Sequence, residues 1–192
     1  MVPSTEVGMS DYIAATTHEF LTYKRLADRA MANLDDAGFF ATPGPETNSV
    51  AIIVKHIAGN LRSRWTDFLT TDGEKPDRDR DGEFELRAGD TRASLMQAWE
   101  SGWRKVFDTL ASLGDADLER IVHVRWEPHT VVAAIQRQLG HTACHSGQIV
   151  QLARHYAGPA WSSLTIPRGE SRAYNERARR EAAERPGGRV AP

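Results

Sequence analysis

The sequence predicts an all-α protein, an up-down four-helix bundle with a long loop after the second helix and a short hairpin segment before the fourth. Three observations carry this. Four segments repeat apolar residues at steps of three and four, the signature of a helix with one buried face. Each segment is bounded by capping or breaking residues. The 192 residues, 40% hydrophobic and 26% charged, have the size and composition of one ordinary globular domain.

The first helix is predicted over about 10–36, with Ile13, Phe20, Tyr23, Ala27, Ala30 and Leu34 as its apolar seam. Gly38 is read as its stop, and Pro43-Gly44-Pro45 as a loop. The second spans about 48–70, capped by Asn48 or Ser49, with Val50, Val54, Ile57, Leu61, Trp65 and Phe68 in unbroken steps of three or four. A charged stretch over 72–83 reads as a long loop, and loops of that length are often functional. The third helix is expected over 90–113, with a seam through Leu95, Trp99, Trp103, Val106 and Leu110. Ile121-Val122-His123-Val124-Arg125-Trp126 alternates in the manner of a strand or hairpin arm. The fourth helix covers about 130–156 and ends at Gly158-Pro159. Residues 1–175 form the expected domain. The Arg/Glu/Ala-rich stretch 176–192 is read as a polar tail, a short exposed helix that frays into disorder.

Charge and cysteine usage exclude several classes. Twenty-four basic residues against 26 acidic ones leave a net charge of −2, which gives no bulk attraction for nucleic acid or an anionic membrane. No apolar run is long enough to cross a bilayer. The start of the chain lacks the basic and apolar regions of a signal peptide, and Cys144 is the single cysteine. Both point to a cytoplasmic protein without intramolecular disulfides.

The sharpest local feature is His141-Thr142-Ala143-Cys144-His145 inside the fourth helix. Histidines at i and i+4 stand one turn apart on one face and can converge on an ion. They lie in line with Ile135, Gln138, Ile149 and Leu152, the expected buried stripe. On spacing alone the pair is open to two readings: metal ligands, or a packed and hydrogen-bonded pair without metal. His56, near the edge of the second helix's seam, is the third candidate. Three imidazoles from two facing helices leave a fourth position open, the layout of a catalytic rather than a structural ion. Asn60 follows His56 by one turn, and Arg62 and Arg64 are candidates for gripping a substrate carboxylate, Arg64 being nearer the His56 face. The bland alternative for both arginines is a salt bridge to Asp72, Glu74 or Asp79. Cys144 is read as a small buried side chain, with thiolate ligation as the alternative. His18, His123, His129 and His155 are set aside, His18 and His123 as outward-facing and His155 as suited to its helix C-terminus.

The strings that carry these residues resemble a known superfamily. They are 49–65, containing Lys55-His56-Ile57-Ala58-Gly59-Asn60-Leu61; 67–75; Ala134-Ile135-Gln136-Arg137-Gln138-Leu139-Gly140-His141; His145-Ser146-Gly147-Gln148-Ile149; and Ser163-Leu164-Thr165-Ile166-Pro167-Arg168-Gly169. Over roughly residues 10–175 the chain resembles the DinB-like metal-binding four-helix bundles, and within them an uncharacterised bacterial subgroup. The resemblance implies a divalent metal on His56, His141 and His145, and a homodimer; imidazole ligands leave the metal open, with zinc foremost and nickel or iron as alternatives. It also implies a small-molecule substrate, because characterised members include thiol-dependent transferases and isomerases. The expected function is therefore a metal-dependent thiol S-transferase, or a related hydrolase or isomerase that activates a thiol or water. The alternative is a non-catalytic, metal-stabilised stress or interaction module.

Overall fold

The computed structural model describes residues 9–184 of the chain. The part of the expected tail that covers 185–192 lies outside the described residues. In order, the elements are α1 (Met9–Met31), α2 (Asp36–Phe40), α3 (Val50–Trp65), α4 (Arg92–Ser112), β1 (Ile121–Val124), β2 (Glu127–Thr130), α5 (Val131–Ala157) and α6 (Ser171–Glu184). The four long expected helices correspond to α1, α3, α4 and α5. No helix described is long and apolar enough to cross a membrane.

Local chemistry sets the boundaries. The first helix stops at Met31, five residues earlier than its pattern suggests, because Asp35 caps a new short helix by accepting from the Gly38 amide. Gly38 is therefore inside α2 and not a stop. Ser49, not Asn48, caps α3 through the Ile52 amide. That helix ends at Trp65, because Asp67 turns left-handed (φ 48°) and its carbonyl collects the amides of Thr70 and Thr71. Thr91 caps α4 and Thr130 caps α5 in the same way as Ser49.

α4 packs chiefly on α3 and α1 on α5, while α3 and α5 also meet each other. Gly102 of α4 lies so close to α3 that a Cβ there would stand 3.1 Å from the Leu61 Cβ and 3.3 Å from the Ala58 carbonyl oxygen. A side chain there would push the two helices or their side chains apart by a few tenths of an ångström. An aromatic cluster fills the centre. Phe20 meets Trp65 and Trp103 edge-on at 5.8 and 6.2 Å, and Trp99 packs beside Trp103 with its indole N–H donated to Asp28 at 2.9 Å. At roughly 150–250 Å² per ring, burial of each stabilises the fold by about 4–6 kcal/mol as an upper bound.

β1 and β2 form an antiparallel hairpin in which Val124 pairs with Glu127 across a two-residue turn, Arg125-Trp126. Val122 and Val124 face the core, and Ile121 and His123 face outward. The linker 66–91 is not a free charged loop. Its Asp72 carboxylate accepts the Arg125 and Trp126 amides, and a 3₁₀ turn at Asp81–Phe84 packs against α3. α6 is a helix with no buried residue, and it begins at Ser171, inside the stretch assigned to the domain.

Candidate metal centre

His56 sits in the middle of α3, buried, with 4% of its surface exposed. His141 and His145 come from α5 one turn apart and are half-buried. Their rings meet the His56 ring at centroid distances of 5.3 and 5.0 Å and each other at 4.6 Å. Among the described residues this is the group of metal-ligating side chains that converges: one ligand atom from each lies within 4.8 Å of the others.

The buried stripe of α5 runs through Val131, Ala134, Ile135, Gln138, Thr142, Ser146, Ile149 and Ala153; it shares Ile135, Gln138 and Ile149 with the expected row and departs by one residue at 142, 146 and 153. Thr142 and Ser146 occupy the core-facing row, and the Ser146 hydroxyl is donated to the Tyr23 carbonyl at 3.4 Å. The two histidines therefore stand at the margin of the stripe, where a ring can be desolvated on one side and reach a ligand on the other. Burial, reinforced by the neighbouring His145 and His56, pushes His141 down to about 3. Burial and His56 lower His145 as well, against a hydrogen bond to Gln148. Both are neutral at pH 7, the form a metal requires.

Two of the three second nitrogens are held, and that of His141 has no partner among the described residues. His56 Nδ1 lies 2.9 Å from a Glu83 carboxylate oxygen, and His145 Nδ1 lies 2.8 Å from the Gln148 amide oxygen. Burial pushes the Glu83 carboxyl up, but hydrogen bonds from His56 and Arg78 outweigh it and hold the group below the usual carboxylate range. Glu83 is thus an acceptor, Nδ1 of His56 carries the proton, and Nε2 is left for a ligand. Gln148 orients His145 the same way. Such an outer partner, imidazole N–H to carboxylate, is the usual support of a metal-bound histidine. The His56 and His141 Nε2 atoms stand 3.3 Å apart. Two nitrogens on a tetrahedral zinc, each about 2.0–2.1 Å from it, are separated by about the same distance. The three histidines could therefore hold a metal ion, and the His56–His141 spacing suits two ligands of one ion.

His56 and His141 open onto a cleft of about 390 Å³. Asn60 and Arg64 line it, as expected from their helix face. Arg62 does not. It points to solvent and pairs with Asp77 at 2.7 Å, the salt bridge set beside its functional reading, though with a different acid. Arg64 combines both readings, since it pairs with Glu74 at 3.2 Å while still lining the cleft. Cys144, expected to be buried, is exposed and lines a separate groove with Pro43 and Leu152. At about 100° per residue, a side chain next to His145 is turned well away from the ligand row.

The residues missed at the sequence level come from 66–91 and the hairpin. Glu83 anchors His56. Arg78, its side chain 2% exposed, forks onto Glu83 at 2.8 and 2.9 Å, and Phe84 lies against the His56 ring at 4.7 Å. His123 faces outward as expected, yet together with Arg125 it lines the cleft. The only available signal for Glu83 was an acid in a long loop that otherwise had no role.

One family model matches, described as a protein of unknown function (DUF1572), over residues 8–170. No curated protein matches the chain.

Proposed function

The chain belongs to the DUF1572 family, and from that premise we propose that it is a metal-dependent enzyme of DinB-like type. In this reading the four long helices form an up-down bundle. One divalent ion, zinc in the first instance, is held by His56, His141 and His145. When bound, the ion supplies Lewis-acid activation of a thiol or a water at neutral pH.

The observation that carries the proposal is the pairing of convergence with openness. Three imidazoles converge, two of them (His56 and His141) line the cleft, and no fourth protein ligand joins them among the described residues. Cys144, the side chain that would have closed the fourth position and favoured a structural ion, faces elsewhere. The remaining residues suit a small substrate. Asn60 offers an unpaired buried amide oxygen, Arg64 offers an unpaired guanidinium nitrogen, and Trp65 and Phe68 form an apolar wall. Glu83 and Gln148 hold two of the rings in the ligating orientation. A low-molecular-weight thiol as the activated partner, and a thiol S-transfer as the reaction, follow from the DinB-like resemblance.

The test is elemental mass spectrometry of the purified protein beside His56→Ala, His141→Ala and His145→Ala. Near-stoichiometric metal in the wild type, lost in each variant, is expected. Equal, trace metal in all four would sink the site. Metal-dependent conjugation of a chromogenic electrophile across a panel of thiols then tests the reaction. Its absence would favour a non-catalytic role for the ion.

A further inference from the structure

The cleft carries more positive charge than its own acids neutralise. Arg64, Arg78, Arg80, Arg125 and Arg137 all line it. Glu74 is shared among three of them, lying 3.2 Å from Arg64, 3.4 Å from Arg78 and 2.9 Å from Arg125. Glu83 is committed to Arg78 and His56. Arg80 reaches only the solvent-exposed Asp81, at 3.7 Å. Arg137 is exposed at the cleft and forms no ion pair among the described residues. The proton affinity of Arg64 registers this crowding. Burial lowers it, Glu74 opposes, and Arg78, Arg125 and Arg137 lower it further.

Unsatisfied groups collect in the same place. Among the described residues, six buried side-chain nitrogen or oxygen atoms lack a partner, and four of these belong to cleft residues: Asn60, Arg64, Trp65 and His141. Asn60 and Trp65 are only 7% and 3% exposed. A buried polar atom without a partner costs about 1–3 kcal/mol, so such a cluster marks a place where a ligand supplies the missing bonds. The Arg64 Nη1 and Trp65 Nε1 atoms are donors, and the Asn60 oxygen is an acceptor.

We propose that this cleft is a subsite for a small organic anion, a carboxylate or a phosphate monoester, whose charged oxygens are taken by Arg64 and Arg137 and whose own hydrogen-bond donor meets the Asn60 oxygen. The proposal rests on the reading above in taking this cleft as the place where chemistry occurs. The grip itself is built from arginines and does not need the ion. A cavity of about 390 Å³ lies within the usual range for small-molecule sites. A planar guanidinium with free N–H groups is the side chain best matched to paired anionic oxygens.

The experiment is isothermal titration of the metal-stripped full chain with malate, whose hydroxyl can donate to Asn60, and, separately, with inorganic phosphate at low ionic strength. Saturable binding of one anion per chain, weakened by added sodium chloride, is expected. The anion that binds distinguishes a carboxylate from a phosphate ligand. Arg137→Gln, at an exposed position where folding is not at risk, and Arg64→Lys should each weaken binding about tenfold or more. Saturation by neither anion overturns the proposal, as does binding unchanged in both variants. If binding appears only after metal is restored, the anion sits on the ion. The subsite then falls while the triad stands. If the stripped chain binds the anion but never takes up metal, the triad reading falls and the subsite stands.

Discussion

Glu83 holds His56 from behind: its carboxylate lies 2.9 Å from His56 Nδ1, and both side chains are buried. Arg78 grips the same carboxylate with Nε and Nη2, so a guanidinium, a carboxylate and an imidazole form one chain ending at the cleft. Removing such an outer partner commonly weakens a metal site about 10–100-fold. Glu83→Gln should lower metal affinity by that factor in a chelator competition. It should also destabilise the metal-free fold by up to about 3–5 kcal/mol, because Arg78 would lose its buried counter-charge. Unchanged metal affinity would mean that the carboxylate serves only Arg78.

Gly59, three residues after His56, makes room for this carboxylate. A Cβ at that position would overlap the Glu83 carboxyl group. Alanine in place of glycine ordinarily strengthens a helix by about 1 kcal/mol. Here the obstructing group is pinned by three hydrogen bonds and cannot swing aside, so overpacking of about 1–3 kcal/mol wins. Gly59→Ala should therefore lower both the melting temperature and the metal affinity. A more stable variant with full metal uptake would refute the close fit.

Acid should destabilise the metal-free protein in a defined window. The folded state holds His141 near 3, whereas its ordinary value is 6.5. Below about 6.5 the unfolded chain takes up a proton that the folded chain refuses, so stability falls as pH falls from there toward 3. His145 acts in the same direction. Glu83, with its folded value depressed, adds stability above its ordinary 4.5 that is lost at lower pH. Thermal melts of stripped protein should lose more stability between pH 7 and pH 5 in the wild type than in His141→Gln. Equal losses would show that His141 is not desolvated.

Much of this was legible in the chain itself, because helices translate spacing into direction. The four apolar seams placed the long helices, and the i, i+4 spacing put His141 and His145 on one face. The same reasoning put Arg64 nearer the His56 face than Arg62 but kept both as substrate candidates; Arg64 lines the cleft and Arg62 does not. It failed where small polar residues pack inward. Thr142 and Ser146 fill the buried row of α5 where the periodicity put His141 and His145, and Cys144, read as buried from the usual behaviour of cysteine, is exposed. It failed also for contacts without periodicity. Glu83 reaches His56 across 27 residues, and Asp72 reaches Trp126 across 54. Neither pairing leaves a pattern in the sequence, because a loop's course is set by the bonds it finishes with.

The hairpin turn beside the cleft is held against its own backbone preference. Arg125 and Trp126 have φ of 55° and 63°, left-handed values that two-residue hairpin turns demand and that Asn and Gly adopt readily. Each non-glycine residue there costs about 1–2 kcal/mol. Trp126 is 81% exposed and recovers little by burial. What offsets the strain is Asp72, whose carboxylate accepts both turn amides at 2.9 and 2.7 Å. Burial raises its proton affinity, but these bonds, with that of the Glu74 amide, lower it overall. Two outcomes follow in denaturant melts. Asp72→Ala should destabilise by about 2–3 kcal/mol, since charge-assisted bonds to two strained amides are lost together. Trp126→Gly should stabilise by about 1 kcal/mol by releasing the turn, and should make the loss on Asp72→Ala smaller when the two are combined. Simple additivity in that double-mutant cycle would show that Asp72 and the turn act independently.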